Sequence, residues 1–505
     1  MSEYRPDRRT FEQLAARYPV VPVWRTVVAD TQTPVSAYLR LAAGKESNAF
    51  LLESVEGGER WARYSFLGGE AFGAVKAFGR EVEVEGALPV RPAENEPPLA
   101  FVSRLLATLR GPEIEGVPPM HGGAVGFIGY DTVRELEDLP NAPEDDLGLP
   151  DLALLLTRTM VVFDHLAQQA RVFANVPSGD DPRSAYDQAI ASCESVIDDL
   201  AAPLPASRVD LDWREVPSFE SNVGDQEFAS WVEKTREHIF AGDAFQVVLS
   251  RRFEMPLSGS SFGAYRALRT LNPSPYMYHL RFSPSELHPS FEISGSSPEP
   301  MVRVAGDEIL SRPIAGTRRR GATPEEDAEL ARELLDDEKE RAEHVMLVDL
   351  ARNDVGRVSE YGEVKVDDLM TIERYSHVMH IVSSVSGKLD GRHRPFDAFT
   401  ACFPAGTVSG APKVRAMELI DSMERTRRGP YAGAVGYFDL SGNLDTCITI
   451  RTIIATGGKA YVQAGAGIVA DSDPMAEADE TRRKAEALLR AVAAGAALDD
   501  SAHSA

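Results

Sequence analysis

The segment Phe228-Ala-Ser-Trp-Val-Glu-Lys-Thr-Arg-Glu-His-Ile-Phe-Ala-Gly-Asp-Ala-Phe-Gln-Val-Val-Leu249 changes its hydrophobic period halfway along. Its first part carries apolar residues at the spacing of one helix face. Gly242 is typical of a helix end, and the apolar, β-branched run that begins at Phe245 is typical of a strand. The sequence has no regular strand-helix-strand alternation, so this switch favours an α+β fold with antiparallel sheets and segregated helices over a doubly wound fold.

The chain is too long for one hydrophobic core, because it has 505 residues of which 43% are hydrophobic. Short strand-like runs separated by glycines precede the opening segment, and a helix is predicted over 184–200. Residues 201–223 turn to Pro, Ser and Asp, which indicates a linker. We therefore predict an N-terminal domain over 1–215, a second domain over 224–490 and a flexible tail over 491–505.

The composition excludes several classes of protein. A net charge of -25 argues against binding to nucleic acid, whose affinity comes mainly from Lys and Arg contacts to phosphate. The three cysteines have neither metal-ligand spacing nor the number needed for a disulfide framework, which fits a reducing compartment. The charged N-terminus is followed by no apolar segment, so we expect no signal peptide, no membrane span and a cytoplasmic location.

Two segments look alike, Gly122-Gly-Ala-Val-Gly-Phe-Ile-Gly-Tyr130 and Ala432-Gly-Ala-Val-Gly-Tyr-Phe438. The likeness suggests related strands in the two halves of the chain. One pair of segments is weak evidence for a duplication.

Two acidic segments would each place a pair of carboxylates on one helix face. The first begins at the cap Thr323-Pro324 and may break once before it reaches its acidic pair, and the second begins at the cap Asp473-Pro474. Their paired carboxylates, at i and i+3, are Glu340 with Glu343 and Glu477 with Glu480. If the two helices converge, four like charges meet and need a cation between them, and Mg2+ prefers such oxygen ligands. The alternative is a pair of solvated acidic faces, with Glu480 paired to Lys484.

Three glycine-bearing segments offer backbone N–H groups with little obstruction, namely 311–317, 403–413 and 464–467. Such loops bind carboxylates well, particularly with an arginine such as Arg451 nearby. Taken singly, each is more often a tight turn. None has a dinucleotide-binding or Walker arrangement, so the sequence gives no support for nucleotide binding.

Candidate acid-base groups are His377, His380 and Glu299, the last of which lies in a proline-bounded turn. A histidine near neutral pKa and a carboxylic acid with a raised pKa are the usual groups that move protons. Each of them could equally be structural.

The stretch from Phe228 to Leu488 resembles the chorismate-utilising enzymes over essentially its whole length. The motifs that carry the resemblance, in the family's order, are Gly242–Ser250, Pro313–Thr317, Glu343–Asp354, Phe403–Lys413 and Gln463–Val469. The resemblance implies a large two-lobed α+β fold, in which antiparallel sheets form a sandwich-like core with helices outside.

Two positions distinguish this chain from other members of the family that it resembles. Isochorismate and salicylate synthases resemble it but place a water-activating lysine where this chain has Gln246. Aminodeoxychorismate synthases carry a nucleophilic lysine where it has Ala315. Without either lysine, the site resembles that of the anthranilate synthases. Neutral ammonia needs no base to become a nucleophile, so the absence is chemically sensible.

The N-terminal part also resembles the anthranilate synthases. Leu51-Leu-Glu-Ser54 and Pro275-Tyr276-Met277 are similar to the tryptophan-feedback pocket of their large subunit, in which Ser54 would contact the amino acid. Taken alone, the tetrapeptide is just as well explained as a strand end with a capping serine.

The resemblance also implies roles for individual residues. Mg2+ would be bound at Glu343 and Glu480, with Glu340 and Glu477 as neighbouring or water-mediated ligands. Glu299 would be the acid, and His380, with Thr407 nearby, the base. The chorismate carboxylates would be held by Gly316, Thr317, Tyr431, Arg451, Gly465, Ala466 and Gly467.

The implied activity is the conversion of chorismate and ammonia to anthranilate and pyruvate, the first step of tryptophan biosynthesis. Glutamine hydrolysis needs a cysteine nucleophile with a histidine partner, and the sequence offers no plausible pair. We therefore expect a separate glutamine amidotransferase subunit, anthranilate synthase component II, in a heterotetramer.

Two alternatives remain at this stage. One is another chorismate-converting enzyme, an aminodeoxyisochorismate or salicylate/isochorismate synthase, which product identification would separate. The other is a non-catalytic amino-acid sensor, which should have lost Glu343, Glu480 or the glycine segments.

Overall fold

The computed structural model describes residues 4–54, 63–86, 88–179, 181–204, 209, 211, 218–375 and 378–503. Within these residues the helices are α1 (Arg8–Ala15), α2 (Pro34–Leu41), α3 (Pro98–Thr108), α4 (Pro182–Ala201), α5 (Asp225–Phe240), α6 (Ser261–Leu271), α7 (Pro324–Asp336), α8 (Glu338–Gly356), α9 (Pro395–Cys402), α10 (Gly406–Ser409), α11 (Lys413–Met423) and α12 (Pro474–His503), with a 3-10 helix at Tyr130–Glu135.

The strands of the same residues are β1 (Val20–Val28), β2 (Ala49–Glu53), β3 (Tyr64–Phe78), β4 (Glu81–Gly86), β5 (Gly123–Ile128), β6 (Leu152–Asp164), β7 (Gln169–Pro177), β8 (Glu220–Ser221), β9 (Gln246–Pro256), β10 (Tyr276–Phe282), β11 (Phe291–Ser297), β12 (Pro300–Ala305), β13 (Glu308–Ser311), β14 (Ile314–Arg319), β15 (Lys365–Arg374), β16 (Val378–Lys388), β17 (Gly410–Ala411), β18 (Ala434–Asp439), β19 (Leu444–Ile448), β20 (Thr452–Thr456) and β21 (Lys459–Ile468).

The ladders between these strands are antiparallel. Separate hydrophobic clusters fill the space between strands and helices, one of them gathered around β1, β7, α4, α6 and α12. This confirms the predicted α+β class with antiparallel sheets and a layered core. No helix in the described part of the chain is long and apolar enough to cross a membrane.

The opening segment folds as its pattern predicts. The helix ends at Phe240, and Gly242 adopts a φ of +86°, a left-handed conformation that glycine takes without a Cβ penalty. The strand β9 begins at Gln246 with a buried run, while Phe245 stays exposed just before it.

The look-alike segments lie side by side. β5 pairs with β18 directly, and Gly126 lies opposite Gly436 in that register. A Cβ on Gly126 would lie 1.9 Å from the Ala153 carbonyl oxygen, and one on Gly436 would lie 2.1 Å from the Asp445 carbonyl oxygen. The repeated glycines are therefore needed because neighbouring backbone approaches each of them closely.

Strands from both sides of the expected domain boundary share ladders, since β2 pairs with β10 as well as with β3. The helix predicted over 184–200 is confirmed as α4. Part of the expected linker, 205–208, 210 and 212–217, lies outside the described residues. The division into domains over 1–215 and 224–490 stays a prediction.

The C-terminal segment differs from the flexible tail expected over 491–505. α12 continues through it, and Ala491, Val492 and Leu498 are buried. A Cβ on Gly495 would lie 2.4 Å from the Ala264 amide nitrogen, so α12 and α6 are in close contact. Small residues allow this approach, and the apolar side chains among them supply a buried face.

Candidate active site

The first acidic segment breaks once, as predicted. Asp337 separates α7 from α8, and its Oδ1 accepts hydrogen bonds from the amides of Lys339 and Glu340. This cap starts a new helix and places Glu340 and Glu343 in its first two turns.

The second acidic segment is capped in the same way. Asp473 Oδ1 accepts hydrogen bonds from the amides of Met475 and Ala476 at the start of α12. Glu477 and Glu480 follow on this helix, one turn apart.

The carboxylates of the two helices lie within electrostatic reach of one another. Burial raises the pKa of Glu343, and the negative charges of Glu340 and Glu480 act in the same direction. Burial also raises the pKa of Glu477, with a further contribution from Glu480. The structure therefore gathers all four predicted acids at one place.

Each of three carboxylates has its own partner. Gln246 Nε2 donates to Glu343 Oε1 at 3.0 Å, Arg318 Nη1 lies 3.1 Å from Glu340 Oε1, and Lys484 Nζ lies 2.7 Å from Glu480 Oε1. The Glu480–Lys484 pair is the alternative that the sequence left open. Among the described residues, no three His, Cys, Asp or Glu side chains are arranged to hold a metal ion. The donor set of oxygen atoms suits Mg2+, which stays a prediction.

Two of the three glycine-bearing segments are strands rather than loops. Residues 314–317 belong to β14, with a register shift between Ala315 and Thr317, and residues 464–467 belong to β21. The expectation of three loops is wrong for these two, because pairing with β16 and β9 satisfies their backbone on one side. Only residues 403–413 keep a loop-like course, through α10 and β17.

The glycines of these strands face predicted site residues. A Cβ on Gly316 would lie 3.0 Å from Glu340 Oε2, and one on Gly465 would lie 2.7 Å from the Tyr431 hydroxyl. A Cβ on Gly467 would lie 2.7 Å from Gln246 Nε2. At Gly465 a Cβ would also lie 2.8 Å from the Leu249 carbonyl oxygen, so this position has no room for a side chain.

One edge of β21 is open at the site. The strand pairs with β20 only up to Val462, while its pairing with β9 continues to Ile468. Lys484 Nζ donates to the Gly465 carbonyl at 3.0 Å, which brings α12 against this edge. Between Val462 and Ile468, a stretch that includes Ala466, this edge of β21 therefore has no partner strand among the described residues, and a ligand could bind there.

Arg451 is a cation without a partner inside the site. Within the described residues its guanidinium forms no hydrogen bond or ion pair, and burial lowers its pKa. Its backbone adopts a φ of +49°, which is unusual for a residue other than glycine. A buried, unpaired guanidinium calls for an anionic ligand, and strained backbone often accompanies functional residues.

Glu299 lies between β11 and β12, and burial raises its pKa to about 7. The Thr407 hydroxyl and the positive charges of Arg451 and Lys484 act in the opposite direction. The Thr407 hydroxyl itself is buried and lacks a hydrogen-bond partner of standard geometry in the described part of the chain. A carboxyl group with such a pKa can donate a proton at neutral pH.

His380 lies on β16 opposite Thr317 of β14. Its Nδ1 lies 3.0 Å from the Gly316 carbonyl oxygen, which can only accept, so the neutral ring carries its proton on Nδ1. Burial lowers the pKa of the ring, and the charge of Arg451 contributes. The Nε2 lone pair is therefore available as a base. His377, the other candidate, lies outside the described residues.

The four residues of the second predicted site come together elsewhere. Ser54, Pro275, Tyr276 and Met277 line a cavity of about 170 Å³. The Ser54 hydroxyl is buried and has no hydrogen-bond partner among the described residues. We call this space the Ser54 cavity.

The sequence did not single out the rest of the cavity wall. Aromatic side chains of this wall include Tyr64, Phe66 and Tyr437, and its polar side chains include Arg303 and Asp445. Burial raises the pKa of Asp445 to about 6, and the Tyr276 hydroxyl donates to its carboxylate at 2.9 Å. Tyr437 lies in a look-alike segment, but Asp445 and Arg303 carry no signal in a single sequence.

Lys484 is the residue of the first site whose importance the sequence did not reveal. The sequence indicates Lys484 only as a partner of Glu480. In the structure its ammonium also donates to the Gly465 carbonyl, and its charge favours lower pKa values of Glu299 and Glu477. In the sequence, only its i+4 spacing from Glu480 pointed to this lysine.

Comparisons with known proteins agree with this geometry. Residues 50–490 match the chorismate binding enzyme family. Anthranilate synthase component 1 of Acetivibrio thermocellus is 46% identical over 502 residues, with 95% of this chain and 96% of the relative covered. The component 1 of Mycolicibacterium smegmatis is 48% identical, with 97% and 94% covered.

Solved structures show the same architecture. The crystal structure of anthranilate synthase component I from Streptococcus pneumoniae has a TM-score of 0.76 at 36% identity, with 92% of this chain and 99% of that chain covered. The menaquinone-specific isochorismate synthase from Escherichia coli has a TM-score of 0.67 at 18% identity, covering 96% and 98%, and shares the fold. The chain therefore belongs to the chorismate-binding enzyme family, and its relatives at 44–48% identity are component 1 of anthranilate synthases.

Proposed function

We propose that this protein converts chorismate and ammonia to anthranilate, pyruvate and water, the first step of tryptophan biosynthesis. The observation that carries the proposal is the contact between Gln246 and Glu343, at the position where isochorismate and salicylate synthases place a water-activating lysine. An amide cannot take a proton from water, whereas neutral ammonia attacks without a base. The absence of a lysine at Ala315 excludes a covalent lysine adduct there.

The substrate carboxylates would be held on the side of the site where unpaired donors gather. Arg451 offers its guanidinium, the open edge of β21 offers backbone groups around Gly465, Ala466 and Gly467, and Tyr431 its hydroxyl. Gly316 and Thr317 complete this set from β14. Such charge-assisted hydrogen bonds favour a dicarboxylate over a neutral ligand.

We propose Mg2+ as the cofactor, held by Glu343 and Glu480 with Glu340 and Glu477 close by. When bound, it would neutralise the ring carboxylate and stabilise charge as the reaction proceeds. Gln246 and Lys484, which pair with Glu343 and Glu480, keep these carboxylates oriented, and Lys484 also balances the charge of Glu480.

The acid would be Glu299. With a pKa near 7, its carboxyl group can protonate the ring 4-hydroxyl as the C–O bond breaks and water leaves. Ammonia forms a bond to the ring carbon beside the carboxylate-bearing carbon. Arg451 and Lys484 stabilise the carboxylate form of Glu299 once the proton has gone.

The base would be His380, with Thr407 nearby. Its unprotonated Nε2 takes the proton from the ring carbon that carries the new amino group and the ring becomes aromatic. The bond between the ring and the enolpyruvyl oxygen breaks as the methylene carbon of that side chain gains a proton, which releases pyruvate. The hydrogen bond from Nδ1 to Gly316 supports the positive charge that the ring then carries.

Ammonia would come from a separate glutamine amidotransferase subunit, in a cytoplasmic heterotetramer. All three cysteines of this chain are buried, and burial raises the pKa of Cys193 and of Cys402 to about 12. A thiol with that pKa supplies almost no thiolate for attack on glutamine.

The Ser54 cavity would bind tryptophan as a feedback inhibitor. Its aromatic wall suits an indole ring, and the unpartnered Ser54 hydroxyl and the Asp445 carboxylate suit an amino-acid backbone.

The test is to incubate the purified chain with chorismate, Mg2+ and ammonium, with and without tryptophan, and to identify the product by mass spectrometry. Anthranilate formed with ammonium but not with glutamine supports the proposal. Isochorismate, salicylate or an accumulated amino intermediate would contradict it. Glutamine-dependent product from the pure chain would refute the separate partner.

A further inference from the structure

Arg318 is the cation that pairs with Glu340, one of the four gathered carboxylates, and it is held by further partners. Its Nη1 lies 3.1 Å from Glu340 Oε1, and its Nη2 donates to Asp337 Oδ2 at 2.8 Å. Its Nε donates to Glu333 Oε1 at 3.2 Å, and Nη1 also donates to the Thr317 carbonyl at 3.0 Å. Four oxygen atoms therefore fix the guanidinium, whose planar fork of donors suits such a cluster.

The partners of Arg318 lie at the junction of α7 and α8. Glu333 belongs to the last turn of α7, and Asp337 caps α8, the helix that carries Glu340. Arg318 itself extends from β14, where it lies opposite Met379 of β16. Its side chain is only 22% exposed. The ion pair therefore joins a paired strand to the start of a helix, and both ends of it are anchored by backbone.

Glu340 is confined on its other side as well. A Cβ on Gly316 would lie 3.0 Å from Glu340 Oε2, so the carboxylate lies between Arg318 and the backbone of β14. In the described part of the chain, no three His, Cys, Asp or Glu side chains are arranged to hold a metal ion. In the position where Arg318 holds it, Glu340 is therefore not grouped with Glu343 and Glu480 for joint coordination.

We infer that Arg318 keeps Glu340 out of direct contact with the metal ion and thereby sets the selectivity of the site for Mg2+ over Ca2+. The inference rests on the proposed binding of Mg2+ at Glu343 and Glu480. Mg2+ keeps several waters and needs one or two carboxylates, whereas Ca2+ takes roughly six to eight oxygen ligands in a flexible arrangement. A site with two direct carboxylates favours Mg2+, and the release of Glu340 would favour Ca2+.

The first test is calorimetric titration of the full chain, freed of metal with a chelator, with MgCl2 and separately with CaCl2. Arg318→Met removes the charge and keeps a long side chain. We expect this variant to bind Ca2+ roughly 100-fold more tightly than the parent and Mg2+ at most roughly 10-fold more tightly, because a lost positive charge favours both ions and an added carboxylate ligand favours Ca2+ more. The measurement needs neither chorismate nor turnover.

Arg319→Met is the matched control. Arg319 is the next residue of β14, but its side chain is 65% exposed and pairs with Glu326 in the first turn of α7, at the opposite end of that helix from Glu333. This control should keep the parental affinities for both ions within about twofold.

A double variant tests whether the change acts through Glu340. If Arg318→Met releases this carboxylate, the gain in Ca2+ affinity should disappear when Glu340→Gln is added, because an amide is a much weaker metal ligand than a carboxylate. Arg318→Lys serves if Arg318→Met does not fold. Lysine keeps the charge but lacks the fork of donors, so it should hold Glu340 less firmly and raise the Ca2+ affinity by a smaller factor.

Three results would overturn the inference. They are a parental ratio of Ca2+ to Mg2+ affinity in folded Arg318→Met or Arg318→Lys, an equal shift of that ratio in Arg319→Met, and a gain in Ca2+ affinity that persists in the double variant.

Failure of the proposed function gives different results. A parent that binds no Mg2+ in the calorimeter would refute the proposed cofactor, and the inference would fall with it. A parent that binds Mg2+ but forms no anthranilate would refute the proposed reaction, while the ratio of the two affinities in Arg318→Met would still decide the role of Arg318.

Discussion

Two sites of the molecule differ in their chemistry, although strands of one sheet contribute to both. They are the carboxylate site, which contains Glu299, Glu340, Glu343, Glu477 and Glu480, and the Ser54 cavity. The carboxylate site buries charge, which raises the pKa of Glu299 to about 7, and among the described residues the Arg451 guanidinium has no hydrogen-bond or ion-pair partner. The wall of the Ser54 cavity includes five aromatic side chains, and the carboxylate of Asp445 already has a hydrogen bond from Tyr276. The first environment prepares groups to exchange protons and bind anions, whereas the second is a shaped space for one small molecule.

The largest effect on kcat is expected from a substitution of Glu299 in the carboxylate site. Glu299→Gln keeps the shape but removes the proton, so we expect kcat to fall by roughly 100- to 10,000-fold, the usual contribution of a general acid. Chorismate binding, measured by calorimetry, should change little. A variant that turns over at the parental rate would show that the raised pKa serves no catalytic purpose.

The second effect concerns anion binding. Arg451→Met removes a guanidinium that has no hydrogen-bond or ion-pair partner in the described part of the chain, so we expect the KM for chorismate to rise by roughly 10- to 100-fold, equivalent to a charge-assisted hydrogen bond of about 1.5–3 kcal/mol. Arg104→Met is the control, because Arg104 pairs with Glu96 on the surface of the N-terminal part. Equal effects of the two substitutions on KM would contradict a substrate role for Arg451.

The third prediction uses pH to distinguish the two acids. Glu299 must be protonated to act, and its pKa is raised, so kcat/KM should fall as the pH rises through about 7. His380 must be neutral, and its pKa is lowered, so the acid limb should lie below the usual histidine value of about 6.5. A kcat/KM that does not fall between pH 6 and 8 would contradict the role of Glu299, and an acid limb above about 6.5 would contradict that of His380.

The smallest effect belongs to the cavity. Ser54→Ala removes one hydroxyl, so we expect the tryptophan concentration for half inhibition to rise by about fivefold, equivalent to one hydrogen bond of about 1 kcal/mol. The rate without tryptophan should be unchanged. If the rate without tryptophan also fell about fivefold, Ser54 would stabilise the fold rather than bind tryptophan.

The sequence predicted best where residues repeat or follow one another locally. The helix-to-strand switch at Gly242, the break before α8 and the caps Thr323 and Asp473 all follow from local spacing, and each is present. The placement of each carboxylate pair on one helix also agreed, because i and i+3 spacing fixes one helix face, whereas the convergence of the two helices was only a condition in the sequence.

What the sequence missed depends on contacts between distant residues. Glycines at 316 and 465 resemble turn residues locally, but long-range pairing with β16 and β9 makes them strand residues that face Glu340 and Tyr431. Asp445 and Arg303 reach the Ser54 cavity only through the order of strands in the sheet. The Ala-rich C-terminal segment looked like a frayed end because its partner, α6, lies more than 200 residues earlier.

The contact between α12 and α6 gives α12 a role that its sequence does not indicate. The helix spans 30 residues, or about 45 Å at 1.5 Å per residue, from Glu477 and Glu480 at one end to the packing against α6 at the other. Shortening the chain before Leu498, or attaching a bulky fusion behind it, would disturb the packing against α6 that holds the helix carrying the acidic pair. Purification tags for this protein therefore belong at the other terminus.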